Sequence, residues 1–303
     1  MINPRPQRTP KNPALHSFSL VEMLVAMTIL LIITGLLLSM TGSMMSSWTT
    51  DSARNERRTI GRTVFERMSR DLGQTTLPLS RGSSNSLEFI INPTTVSAAY
   101  QLPQAVFWQA PVTTDGATNG DLAEVGYFVQ WADGGPVLSR LLVNPSEANY
   151  LIYKTPTSWI SDTILLNSAP STASAGYSGL LAKNVMGLWV QALDPSGNPI
   201  QQASHLTGEN FDSRLAYPYT NSIYPTAIST NSAAALPASL QVAIIVIDSR
   251  TAKLLKGTEK PSSTSLSGNF WADINSFYSS LSPRIQQGAV IQSTVIQLSP
   301  GPR

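Results

Sequence analysis

The chain has no cysteine in its 303 residues, which excludes disulfides, thiolate metal sites and thiol nucleophiles. Histidine is nearly as scarce. His16 and His205 are the only two, so imidazole acid–base or metal chemistry has little material. Charged residues make up 13% of the sequence, about half the usual globular share. Ser, Thr, Asn, Gln, Gly and Pro take their place, a loop-rich, β-leaning composition that suits an exported surface protein better than a cytosolic enzyme. Phosphate-cradling and dinucleotide glycine motifs are missing, and "GYSGL" (176–180) lacks the spacing of a hydrolase nucleophile elbow. No catalytic residues are expected.

A basic excess is also missing from the body. The sequence pI of about 8.9 comes from residues 1–17, which hold Arg5, Arg8 and Lys11 and no acid. Without them the balance is 17 basic to 18 acidic side chains, and from Leu77 onward it is 11 to 13. A general nucleic-acid surface needs the opposite balance, so nucleic acid is not an expected partner. Six arginines do cluster between 54 and 70, but Glu56 and Glu66 lie among them, and a solvated helix face is the favoured reading.

Two features stand out against this background. Residues 1–15, "MINPRPQRTPKNPAL", carry four prolines and three positive charges and are expected to form a non-helical tail. Under the positive-inside rule they place the N-terminus in the cytoplasm and the body outside it. The second feature is the apolar run from Phe18 to about Met45. It exceeds the roughly 20 residues needed to cross a bilayer and is too long for an ordinary cleaved secretory core. Glu22 lies inside it, where a carboxylate costs about 2.5 kcal/mol or more.

The helix is expected to continue past the membrane. Ile60, Val64, Met68 and Leu72 recur every four residues, with Phe65 alongside, and mark a stripe that seeks a sheet. Arg62–Glu66, Glu66–Arg70 and Arg67–Asp71 are expected ion pairs on the opposite face, and Pro78 ends the helix by Gln74. Beyond it, strands are expected at 86–92, 124–131, 137–143, 184–193, 240–248 and 289–298, the last closing an antiparallel sheet. The 240–248 strand is expected to be central and covered on both faces. The turn-rich "ADGGP" and "DPSGNP" join strand-like runs, and 271–281 reads as a short helix. Segments 94–120, 144–182 and 201–238 read as surface loops or insertions. Trp108, Trp131 and Trp189 are expected in the core or on a sheet face. "DGATNGD" (115–121) offers Asp115, Asn119 and Asp121 as a calcium candidate but lacks EF-hand spacing. A plain turn is favoured there, and no cofactor is expected.

Ser17-Phe18-Ser19-Leu20-Val21-Glu22, followed by the apolar run, resembles the class III signal of type IV pilins and pseudopilins. The resemblance implies a leader at 1–17, cleavage between Ser17 and Phe18 by a prepilin peptidase, and methylation of the new Phe18 amine. It also implies assembly through a neighbour's Phe18 amine and Glu22; the family usually has glycine where Ser17 stands. "RNERRTIGRTVFERMSRDLGQ" (54–74), "GLWVQALDPSGNP" and "LPASLQVAIIVID" are similar to J-type minor pseudopilins of type II secretion. The whole chain also looks like the C-type pilin-like proteins of Verrucomicrobial cassettes.

The expected architecture is therefore α+β and pilin-like. A leader (1–17), a membrane and assembly helix (18–45) and an amphipathic continuation (46–76) precede a β-rich extracytoplasmic head (77–303). The partners implied are other pilin-like subunits, the peptidase and inner-membrane assembly machinery. Two alternatives stay open: Glu22 snorkelling to the interface or pairing with its own Phe18 amine, and an uncleaved single-pass anchored binding protein.

Overall fold

A computed structural model of the chain describes residues 19–76, 88–111, 121–132, 135–147, 150–152, 159–162, 178–202, 209–215, 217–220, 228–231, 236–255, 259–262, 264 and 266–298. The protein is α+β, with one long N-terminal helix followed by antiparallel sheets. Two compact units are distinguished, Met1–Ser52 and Ala53–Arg303.

Helix α1, Leu20–Leu72, has 53 residues and is about 80 Å long at 1.5 Å per residue. Its apolar portion is long enough to cross a membrane. Each residue from 19 to 52 is exposed, and large side chains such as Leu31 and Leu38 point away from any protein core. The remaining turns behave differently. Val64, Met68 and Leu72 are fully buried, while Ile60 and Phe65 are half-buried against the same core.

Among the described residues eleven strands follow: β1 (Ile90–Ile91), β2 (Ala105–Ala110), β3 (Ala123–Ala132), β4 (Gly135–Val143), β5 (Ser178–Lys183), β6 (Val185–Leu193), β7 (Phe211–Asp212), β8 (Tyr217–Thr220), β9 (Ile228–Asn231), β10 (Ser239–Ile247) and β11 (Ala289–Gln297). Between β10 and β11 lie α2 (Ser249–Ala252), α3 (Phe270–Ser280) and α4 (Pro283–Gly288). Instead of one sheet closed by the last strand there are two. One has six strands in the order β5-β4-β3-β2-β1-β7 and the other three, β11-β10-β6; β8 and β9 form a separate ribbon. The β3–β4 hairpin closes at Ala132↔Gly135, with Gly135 at φ 112°, a conformation that favours glycine.

The main core holds the α1 stripe, the inner face of the large sheet (Val106, Trp108, Val125, Tyr127, Val129) and one face of β10 (Leu240, Val242, Ile244, Val246). The other face of β10, with Ala243, Ile245 and Ile247, packs with Trp189 under Phe270, Ile274 and Ile285. Strand β10 is thus central and covered on both sides. Trp108 and Trp189 are buried, and Lys260 sits 5.3 Å from the centroid of Trp131.

Three expectations need correction. Strand β2 lies inside the expected loop 94–120, fully buried between β1 and β3. Strand β5 begins within the expected loop 144–182, and β7, β8 and β9 lie within 201–238. The expected strand at 86–92 is reduced to Ile90–Ile91, its first two residues lying outside the described ones. These segments also build a second core. Val96, Tyr150, Ile152, Trp159 and Ile160 cover Phe107, Phe128, Leu141 and Val143 on the outer face of the large sheet.

Candidate functional site

The start of α1 gives Glu22 a local partner. Met23 N–H donates to the Ser19 carbonyl at 3.2 Å, opening the helix. Glu22 N–H donates to Ser19 Oγ at 3.2 Å, and Ser19 N–H donates to Glu22 Oε2 at 3.4 Å. This reciprocal pair is a capping box, in which two N–H groups left unpaired at a helix start are satisfied. The signal Ser-x-x-Glu was present in the sequence but was eclipsed by the apolar run around it. One carboxylate oxygen is engaged by the cap, and the side chain remains exposed. Ser17 and Phe18 lie outside the described residues, as do His16, His205, Asp115 and Asn119. Asp121 is exposed. Among the described residues, no group of three or more His, Asp or Glu is placed to hold a metal.

The seam between the second part of α1 and the sheets is built from polar locks around the apolar stripe. Asp71 is 1% exposed. It accepts from Tyr127 Oη at 2.7 Å and Arg140 Nε at 2.5 Å, with Arg67 Nε at 3.4 Å. Burial, then the Asp71 carboxylate, hold the Tyr127 phenol far above its ordinary range. Asp71 was expected on the solvated face with Arg67. The structure turns it inward because Tyr127 and Arg140 reach it from the large sheet. Arg62 and Glu66 do form the exposed pair expected of them, at 2.6 Å.

At the other end of this seam Arg57 Nη1 donates to Asp248 Oδ2 at 2.8 Å and to the Gly288 carbonyl at 3.0 Å. Asp248 also caps α2, accepting from Arg250 N and Thr251 N. Glu56 accepts from the backbone and hydroxyl of Ser249. Gln292 Nε2 donates to the Arg57 carbonyl at 2.8 Å. A Cβ on Gly61 would fall on the Gln292 side chain, so the glycine permits this close helix–strand approach.

Two buried acids lie on the outer face of the large sheet. Glu124 is 0% exposed, and its Oε1 accepts from Leu151 N at 2.8 Å and Ile152 N at 3.0 Å. Burial pushes its carboxyl up to about 8, opposed by those two N–H donors. Glu88 is pushed up to about 7 by burial, with the Arg214 guanidinium 2.9 Å away working against the rise. Neither acid carried a sequence signal, since an isolated Glu before an apolar strand reads as a surface residue. The two bonds to Glu124 fasten the covering segment 150–152 to the sheet, while Glu88 pairs with Arg214.

No protein-family model and no curated protein matches the chain.

Proposed function

We propose that the chain is a minor pilin or pseudopilin-like subunit. In this reading a prepilin peptidase cuts it between Ser17 and Phe18, the Phe18 amine is methylated, and the mature chain enters or initiates a type IV pilus or type II secretion-like filament. The N-terminus faces the cytoplasm, α1 anchors the chain in the inner membrane, and the head lies in the periplasm before assembly. The pilin-like fold belongs to the same proposal. The observation that carries it is the acid at Glu22, placed one turn into a helix whose next six turns are apolar on every face. A neighbouring subunit's Phe18 ammonium neutralises that carboxylate in a low-dielectric environment, where each charge alone is unfavourable. Oligomer register is the best-attested use of such a buried polar device. Size and covered outer face suit a tip or initiating position.

The capping box favours a second reading. Ser19 and Glu22 satisfy one another within one chain, and an uncleaved single-pass anchor needs nothing more of Glu22. The intact mass of protein extracted from membranes separates the two. A chain beginning at methylated Phe18 is the expected result. Retention of residues 1–17 contradicts it and supports the anchor.

A further inference from the structure

The outer face of the large sheet carries two acceptor oxygens that meet no donor. Gln109 and Glu124 stand directly opposite one another in the β2–β3 register. Each lies two or four residues along its strand from Phe107 or Phe128, which face the outer core, so both side chains stand on that face. Both residues are buried. Glu124 Oε1 is occupied by the N–H groups of Leu151 and Ile152. Glu124 Oε2 and Gln109 Oε1 are buried without a hydrogen-bond partner.

Opposite residues of an antiparallel pair hold their Cβ atoms about 5 Å apart, so two side chains of this length reach one another. An ionised carboxylate and an amide oxygen both only accept. A protonated carboxyl donates, and one proton on Oε2 then satisfies both atoms. Little charge acts on Glu124 from its surroundings. On this face β2 and β4 present Phe107, Leu141 and Val143, while Arg140 of β4 turns to the inner side and binds Asp71. Glu147, in the turn after β4, is the neighbouring acid, and its charge also disfavours ionisation of Glu124. Glu147 Oε1 accepts from Asn144 N and Nδ2. Tyr150, in the cover, donates its hydroxyl to the Leu122 carbonyl, and Asp121, just before β3, is exposed.

We propose that Glu124 is a proton-held latch: as a neutral acid it donates Oε2–H to Gln109 Oε1 while accepting from Leu151 and Ile152, and loss of that proton lets segment 150–152 open. The proton passes to water, and the carboxylate left behind is hydrated only when the cover lifts. Opening uncovers the aromatic outer face, where Tyr150 and Ile152 pack with Phe107 and Phe128. Burial raises the carboxyl from 4.5 to about 8, so the closed form keeps the proton and the open form releases it. The contribution to closure is complete below the ordinary value and is lost as pH rises toward about 8. Between those values each opening releases one proton, and the opening equilibrium climbs about tenfold per pH unit.

Amide hydrogen exchange of the full chain in detergent micelles, read by mass on fragments covering 150–152 and corrected for intrinsic rates, measures this opening. From about pH 6 to about pH 8 opening of the wild-type cover is expected to rise about thirtyfold or more. Glu124→Gln keeps the acceptor for Leu151 and Ile152 and offers Gln109 an N–H in place of the proton. Its cover is expected to stay closed across the whole range. Gln109→Leu removes the acceptor and is expected to ease opening about fivefold or more near pH 6, with the difference fading above about pH 8. A flat wild-type profile, or a Glu124→Gln profile parallel to it, overturns the latch. A Gln109→Leu effect that is absent near pH 6 overturns the proton's assignment to Gln109. So does one that is largest above about pH 8, since the amide then donates to a carboxylate.

Discussion

The two parts of α1 share a backbone conformation and almost nothing else. From Leu20 to about Trp48 the apolar residues surround the helix, and the protein buries none of them. From Ala53 to Leu72 they are confined to one row, and Val64, Met68 and Leu72 disappear into the core. The first part is long and apolar enough to cross a membrane, and none of the described residues covers it. The second requires the sheets, because an isolated helix of that length is marginal in water. What separates them is the distribution of apolar side chains around the axis rather than helix propensity.

That contrast can be broken at its polar lock. Asp71→Ala leaves Tyr127 and Arg140 facing a gap and is expected to cost about 3–5 kcal/mol, as for a buried ion pair that loses one partner. Urea unfolding of a soluble fragment beginning near residue 46 reads this, and an unchanged midpoint contradicts the inward placement of Asp71. Met68→Ala tests the apolar row and is expected to cost about 2–5 kcal/mol in the same assay. Leu30→Ala, in the exposed portion, is expected to leave head unfolding in the full chain unchanged. Equal effects at the two positions contradict the division of the helix.

A smaller effect concerns the outer face. Glu124 has an ordinary carboxyl value of 4.5 raised to about 8 by burial, so folding favours its neutral form. The stability this gives is complete below the ordinary value and is lost as pH rises toward about 8. Glu88, raised to about 7, acts in the same direction. Glu124→Gln keeps an acceptor for Leu151 N and Ile152 N without a titrating group. It is expected to flatten the decline in stability between those pH values, and a parallel pH profile counts against a neutral buried acid.

The helix and its buried row were legible because both leave periodic marks: a long apolar run, then Ile60, Val64, Met68 and Leu72 four apart. Strands β3, β4, β6, β10 and β11 were legible as β-branched or aromatic runs beside turn residues. Asp194 supplies such a turn, accepting from Ser196 N and Asn198 N, with Gly197 at φ 83°. Strand β2 was not legible, since six residues buried on both faces show no alternation to set them apart from their Pro- and Thr-rich surroundings. The outer core was hidden for another reason. Val96, Tyr150, Ile152, Trp159 and Ile160 are scattered, and only the tertiary structure brings them together. Asp71 misled because its spacing from Arg67 fits a surface pair; that pair does form, but Tyr127 and Arg140, 56 and 69 residues away, hold the carboxylate inside. At the candidate site, the sequence marked Glu22 as anomalous, and the structure added Ser19 as its local partner.

The central claim is that Glu22 is kept for its charge. Glu22→Gln decides this most directly, because glutamine preserves the capping box with Ser19 while removing the carboxylate that the proposed assembly pairs with a neighbouring amine. Measured as the fraction of mature chain recovered in sheared filaments, Glu22→Gln is expected to fall as far as Glu22→Ala, with membrane insertion intact for both. Filament recovery at the wild-type level for Glu22→Gln, with loss only for Glu22→Ala, would mean that the residue serves the cap alone.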